Sequence, residues 1–274
     1  MEQAVILLPA FVMSALMIFS HTYLGLHVLA RGIIFVDLAL AQVAALGISF
    51  AFLFGEESHG ITAQLYAFIA TLGAAFIFAG LRRIPGKTTR EVIIGCVYVV
   101  STALSIVILS QSSKGMEELK SLLNGNILWV RWQEIAIVAG ATVLLTIFHL
   151  LYRKHFHALS FESNKKDEPG FLWEFLFFAS FAVIITLAVN IAGILLVFAF
   201  LIIPAFSASL LSSTLAGRLV IGWVLGLVST FAGLWVAFNA DLPVGATVVS
   251  VIGLLPVAAL LIVYGRSLIT GNKG

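Results

Sequence analysis

Long apolar runs alternate with short polar ones along the whole chain. Runs of about 20 residues, enough to cross ~30 Å of hydrocarbon, occur at 5–29, 33–54, 61–81, 92–110, 133–151, 171–189, 191–211, 219–238 and 245–264. The pattern predicts an all-α, polytopic transmembrane helix bundle of about nine spans, forming one domain over 1–274. The junctions near Gly32 and Asn190 are tight, so a merged or re-entrant segment would give eight. The longest polar segments, 111–132 and 152–170, are too short to build a soluble catalytic domain.

Composition agrees with the pattern. Of 274 residues, 61% are hydrophobic and 10% charged, against roughly 25% charged in soluble domains. This points to a multi-pass protein of the cell membrane, in contact with lipid throughout. The net charge of +2 comes without a basic patch interleaved with aromatics, which argues against nucleic acid. A single cysteine, Cys96, excludes an internal disulfide and a zinc-knuckle spacing. The opening MEQAVILLPAFVMSALMIF lacks the positive n-region of a signal peptide and reads as a retained helix.

Basic residues set the expected orientation. With the N-terminus outside, the inside loops hold Arg31, Arg82, Arg83, Lys87, Arg90, Arg153, Lys154, Lys165, Lys166, Arg218, Arg266 and Lys273. Only Lys114, Lys120 and Arg131 fall outside, beside Glu117 and Glu118. The expectation is N-out, C-in.

Gly86-Lys87-Thr88 looks like the tail of a phosphate-binding P-loop. That motif needs a glycine five positions before Gly86, where Leu81 stands, and a preceding strand, where a spanning helix is expected. A basic turn is the better reading, and any ATP hydrolysis belongs to another chain.

Several segments together resemble the permease subunit of the metal-ion ABC importers, the zinc, manganese and iron family called ABC-3. They are Gly25-Leu26-His27-Val28-Leu29-Ala30-Arg31-Gly32, Arg90-Glu91-Val92-Ile93-Ile94-Gly95 and Leu122-Leu123-Asn124-Gly125-Asn126-Ile127-Leu128. Gly193-Ile194-Leu195-Leu196-Val197, running into Leu201-Ile202-Ile203-Pro204-Ala205, and Asp241-Leu242-Pro243-Val244-Gly245 complete the set. The resemblance implies a transport subunit with no covalently bound cofactor and no enzymatic chemistry of its own. It also implies a second copy of the chain, ATPase subunits that use the ATP, and an extracytoplasmic metal-binding receptor. It makes 205–218 the segment that couples to the ATPase, following Pro204 and including Ala205, Ser207, Ser209 and Arg218. A plain turn is the alternative there.

The chain departs from the family at one place. Much of the family carries His four residues after the Asp of the second helix, whereas Asp37 is followed by Ala41 at that spacing and by Gln42 one position later. Asp37 is costly in a membrane, roughly 2.5–3.5 kcal/mol if ionised at the centre of a span. It either draws a cation into a pathway or pins a neighbouring helix. Five residues turn an ideal helix by about 500°, so Asp37 and Gln42 meet only if a π-bulge intervenes. A distortion between Asp37 and Gly47 is therefore expected. Carboxylate and amide oxygens favour harder ions such as Mn²⁺.

His21 and His27, six apart, point to different faces of the first helix, and either lines the pathway or packs between helices. Glu56-Glu57-Ser58-His59 reads as an outside loop, or as a metal or receptor contact. His149, His155 and His157 read as a solvated interface or an exit site, and Glu174 as an interfacial acid paired with a Lys. Asp241 and Pro243 read as a turn. The leading reading is an ATP-driven importer of a divalent transition metal, either zinc, manganese or iron. The rival is a secondary transporter working without an ATPase. An intramembrane enzyme would need a catalytic pair, and none is evident.

Overall fold

A computed structural model describes residues 2–56, 60–161 and 170–269. His59, Lys165, Lys166 and Lys273 lie outside the described residues. The described residues are almost entirely helical. The elements are α1 (Glu2–Arg31), α2 (Val36–Leu53), α3 (Ile61–Gly80), α4 (Lys87–Leu109), α5 (Gly115–Asn124), α6 (Trp132–Leu151), α7 (Arg153–Phe161), α8 (Phe171–Leu211), α9 (Leu215–Asn239), α10 (Val244–Ile252) and α11 (Leu255–Ile269).

Among the described residues, eight stretches are long and apolar enough to cross a membrane. The longest, α8, crosses twice. Glu174 and Leu201 would stand about 40 Å apart on a straight helix, at 1.5 Å per residue. Yet Glu174 pairs with Arg31, while Leu201 and Ala205 lie against Gly25, only two turns away on α1. Both limbs of α8 therefore return to the Arg31 end of the bundle. The reversal falls at Gly193, whose φ of 76° and ψ of 160° interrupt the helix. Among the described residues the eight apolar stretches thus make nine passages. The tight junction near Asn190 is this reversal. The junction near Gly32 is a glycine-closed helix end (φ 66°), with Gly32 N and Ile33 N both donating to Val28 O.

α2 forms the centre. It packs against α3, α4 and α8, and its sequence is rich in alanine. Small residues let helices approach where lipid supplies no hydrophobic drive between them. At Gly47 a Cβ would stand 2.6 Å from Ala67 Cα, so only glycine fits this crossing. By contrast α4, α6 and α11 bury little and show rows of exposed Val, Leu and Ile, as expected of helices against acyl chains or another apolar surface.

The segments that carry the family resemblance prove to be packing partners. Backbone atoms of Gly125 and Gly193 touch, and Asn126 N donates to Ile191 O at 2.9 Å. Gly245 closes against Asn124 O in the same knot. At the opposite end Gly25 meets Leu201 O, and Glu91 Oε1 accepts from Phe35 N at 2.9 Å. The short amphipathic helices α5 and α7 lie inside the two longest polar segments, too short to register as apolar runs.

Candidate functional site

Asp37 stands in the first turn of α2, wholly buried, and neither carboxylate oxygen has a hydrogen-bond partner among the described residues. A buried polar group without a partner forfeits its hydration for nothing in return. Asp37 does not cap α2, because the N-cap is Phe35 and no side chain caps the helix. The helix-pinning alternative therefore finds no hydrogen bond to support it.

The expected distortion is absent. α2 is regular α-helix from Val36 to Leu53, because its alanine-rich sequence packs without a register shift. Gln42 is buried too, but it stands about 140° around the helix from Asp37. Asp37 and Gln42 therefore do not converge on one point of α2. Among the described residues, no three His, Cys, Asp or Glu side chains cluster as a metal site.

His21 and His27 diverge as their spacing implies. His21 is fully buried and its Nδ1 bonds Met17 O at 2.8 Å, while Nε2 has no partner. His27 reaches α7, where its Nδ1 lies 2.7 Å from Ser160 Oγ, and it stacks edge-on with Tyr23. Tyr23 in turn bonds His149 Nδ1 at 3.1 Å.

The structure corrects two further expectations. Glu174 pairs with Arg31, not a lysine, and both are buried beside Phe177 and Phe178, over whose rings the guanidinium lies. Of the three histidines read as a solvated interface, only His149 departs, buried and stacked on Phe156 at 3.9 Å between ring centroids; His155 and His157 are exposed, His155 with its ring on Trp173. Only a tertiary fold could reveal these pairings. The single hint in sequence was a charged residue, Glu174, opening an otherwise apolar run.

Pro204, Ala205, Ser207 and Ser209 all lie within the second limb of α8, before its end at Leu211. Pro204 lies against Gly226 and Ala205 against Gly25, and Ser207 is buried with no partner for its hydroxyl. Ser209 Oγ donates to Ala205 O. No separate short helix follows. Residues 212–214 make a tight link, in which Thr214 accepts from Gly217 N and Arg218 Nε donates to Ser212 O at 2.9 Å. Ser213, Thr214 and Ala216 are its exposed surface.

A description of the ABC 3 transport family matches residues 3–263. The chain belongs to the ABC-3 transport family. The "Manganese transport system membrane protein MntC" of Listeria monocytogenes is 27% identical over 253 residues, covering 91% of this chain and 88% of that one. The "Probable iron transport system membrane protein" of Haemophilus influenzae is 24% identical, covering 92% and 88%. Among solved structures, "PsaBC from Streptococcus pneumoniae in complex with Fab" superposes with a TM-score of 0.73 over 93% of this chain and 90% of that chain, at 19% identity. That likeness shows the shared fold.

Proposed function

We propose that this chain is the membrane-spanning subunit of an ATP-driven importer of a divalent transition metal, with manganese or iron as cargo. Family membership and the manganese and iron relatives support the cargo class. The observation that carries the local reading is Asp37, a buried carboxylate with no hydrogen-bond partner among the described residues. A divalent ion passing this point would satisfy it. With no group of three His, Cys, Asp or Glu among the described residues to complete a site, the other ligands would be water, backbone carbonyls or atoms of a second copy, oxygen donors that suit Mn²⁺ over Zn²⁺.

The remaining parts follow the same reading. An extracytoplasmic receptor delivers the ion at the Gly125 end. The ATPase docks at the Arg31 end, against the link at 212–214 and the first turn of α9, where Ser213, Thr214 and Ala216 are exposed. Two copies face one another across the conducting path, and the N-terminus lies outside. His21 serves the path through its wall with its unpartnered Nε2, whereas His27, bonded to Ser160 of α7, takes the packing role between helices.

The experiment is uptake of manganese, iron and zinc into vesicles holding this chain, a partner ATPase and a receptor, with Asp37→Asn and Asp37→Ala compared. Both variants are expected to fold as well as the parent and to lose uptake by ~10-fold or more, since an uncompensated buried charge is replaced by a group cheaper to bury. Full uptake by Asp37→Ala would remove Asp37 from the path.

A further inference from the structure

A cavity of about 980 Å³ opens near the Arg31 end, bounded by α1, α6, α7, the first limb of α8 and α9. Its deeper wall is mostly apolar, built from Phe19, Leu24, Leu145, Ile184 and Trp223, with the small hydroxyl side chains Ser20, Thr142, Thr146 and Ser180 between them. Trp223 is fixed there by its indole N–H on Phe19 O (3.2 Å) and by its edge-on contact with Phe19. The mouth is basic. Arg153 and Lys154 open α7 and line the cavity, and none of the lining residues is acidic. Between the two zones sits His149, buried, with Nδ1 held by Tyr23 and Nε2 unpartnered.

We infer that this cavity seats one anionic glycerophospholipid, its phosphate on Arg153 and Lys154 and an acyl chain along Phe19, Leu145 and Trp223. Charge complementarity selects the occupant. A divalent cation would meet two cationic side chains and no carboxylate; of the four imidazoles in the lining, His27 is engaged by Ser160 and His149 by Tyr23, and no three ligand side chains among the described residues converge on one point, so the cavity is a poor route for the cargo. A wholly apolar occupant would leave the basic mouth unmatched. A lipid matches both zones in order, because α6 runs along the cavity and carries His149 one turn deeper than Arg153. If Nδ1 accepts from the Tyr23 hydroxyl, Nε2 carries the proton and donates to an ester carbonyl. Basic pockets between membrane helices hold anionic headgroups by this same attraction, which salt weakens. The inference does not depend on which metal the chain carries.

The test uses the full chain in phosphatidylcholine vesicles, titrated with brominated phosphatidylglycerol or brominated phosphatidylcholine. The Trp223 signal is the difference between the parent and Trp223→Phe. Trp223 is expected to be quenched at a several-fold lower fraction of brominated phosphatidylglycerol. That preference should fall about fivefold for each charge removed in Arg153→Gln and Lys154→Gln, and should fade in high salt. Equal quenching by the two lipids overturns the inference, as does a preference that survives the double substitution. Trp223 shielded from both lipids in a cross-linked pair of chains also overturns it, because a second copy would then fill the cavity. Native mass spectrometry of the solubilised parent supplies an independent reading, with one retained phosphatidylglycerol per chain expected and no retained phosphatidylglycerol contradicting the seat.

Discussion

Substituting Gly193 with alanine strikes the pivot on which α8 reverses. The φ of 76° with ψ of 160° lies in a region that residues with a Cβ rarely adopt, at a cost of about 1–3 kcal/mol. The added methyl would also collide with the backbone of Asn124 and Gly125. Parting those strands of chain breaks the bond from Asn126 N to Ile191 O, worth about 0.5–1.5 kcal/mol. Together the loss is about 2–4 kcal/mol, a fall in melting temperature of roughly 5–15 °C by the scaling for chains of this size. Thermal unfolding of the purified protein in detergent, followed by size-exclusion chromatography, reads it directly. Gly95→Ala is the matched control. Its Cβ meets nothing within 4 Å and its φ is not positive, so it should melt at or above the parent temperature. If Gly193→Ala melts with the parent, the reversal at Gly193 is not a tight, glycine-dependent turn.

Other expectations concern the same end-to-end architecture. Arg31→Gln or Glu174→Gln alone should cost about 3–5 kcal/mol by leaving a buried charge unpaired, while Arg31→Met with Glu174→Leu should recover most of it; a double-mutant cycle in thermal melts checks both. Single cysteines placed in a Cys96→Ser background should label by side. Gly170 and Ser213 should share one membrane face, and Ser113 and Ala240 the other, whereas a straight α8 would put Gly170 and Ser213 on opposite faces. Substituting Ser213 and Ala216 with aspartate should lower ATPase stimulation in the assembled transporter and leave the unfolding free energy of the isolated chain within about 0.5 kcal/mol of the parent, as for other exposed positions.

Much of this architecture is legible in the sequence, because nine hydrophobic runs need only length and apolarity to be seen. The reversal near Asn190 was visible as a tight junction, since Gly193 is the residue type such a turn requires. The roles of the family-like segments were not. Gly125 meeting Gly193, and Gly25 meeting Leu201, are contacts across the bundle that no local pattern encodes. The α2 distortion was expected from the spacing of Asp37 and Gln42, on the premise that both serve one site. The alanine-rich helix has no need to yield, so it stays regular. Likewise Pro204 sits well inside α8, because its ring packs into the space left by Gly226. A proline ordinarily suggests a helix boundary, and here tertiary packing outweighs that preference.

In the proposed function, transport is powered by a separate ATPase. The decisive measurement is metal uptake into sealed vesicles holding this chain and its receptor, with and without the ATPase and ATP. The account predicts accumulation of manganese or iron only when ATPase and ATP are both present. Accumulation by this chain alone, driven by an ion gradient, would contradict it.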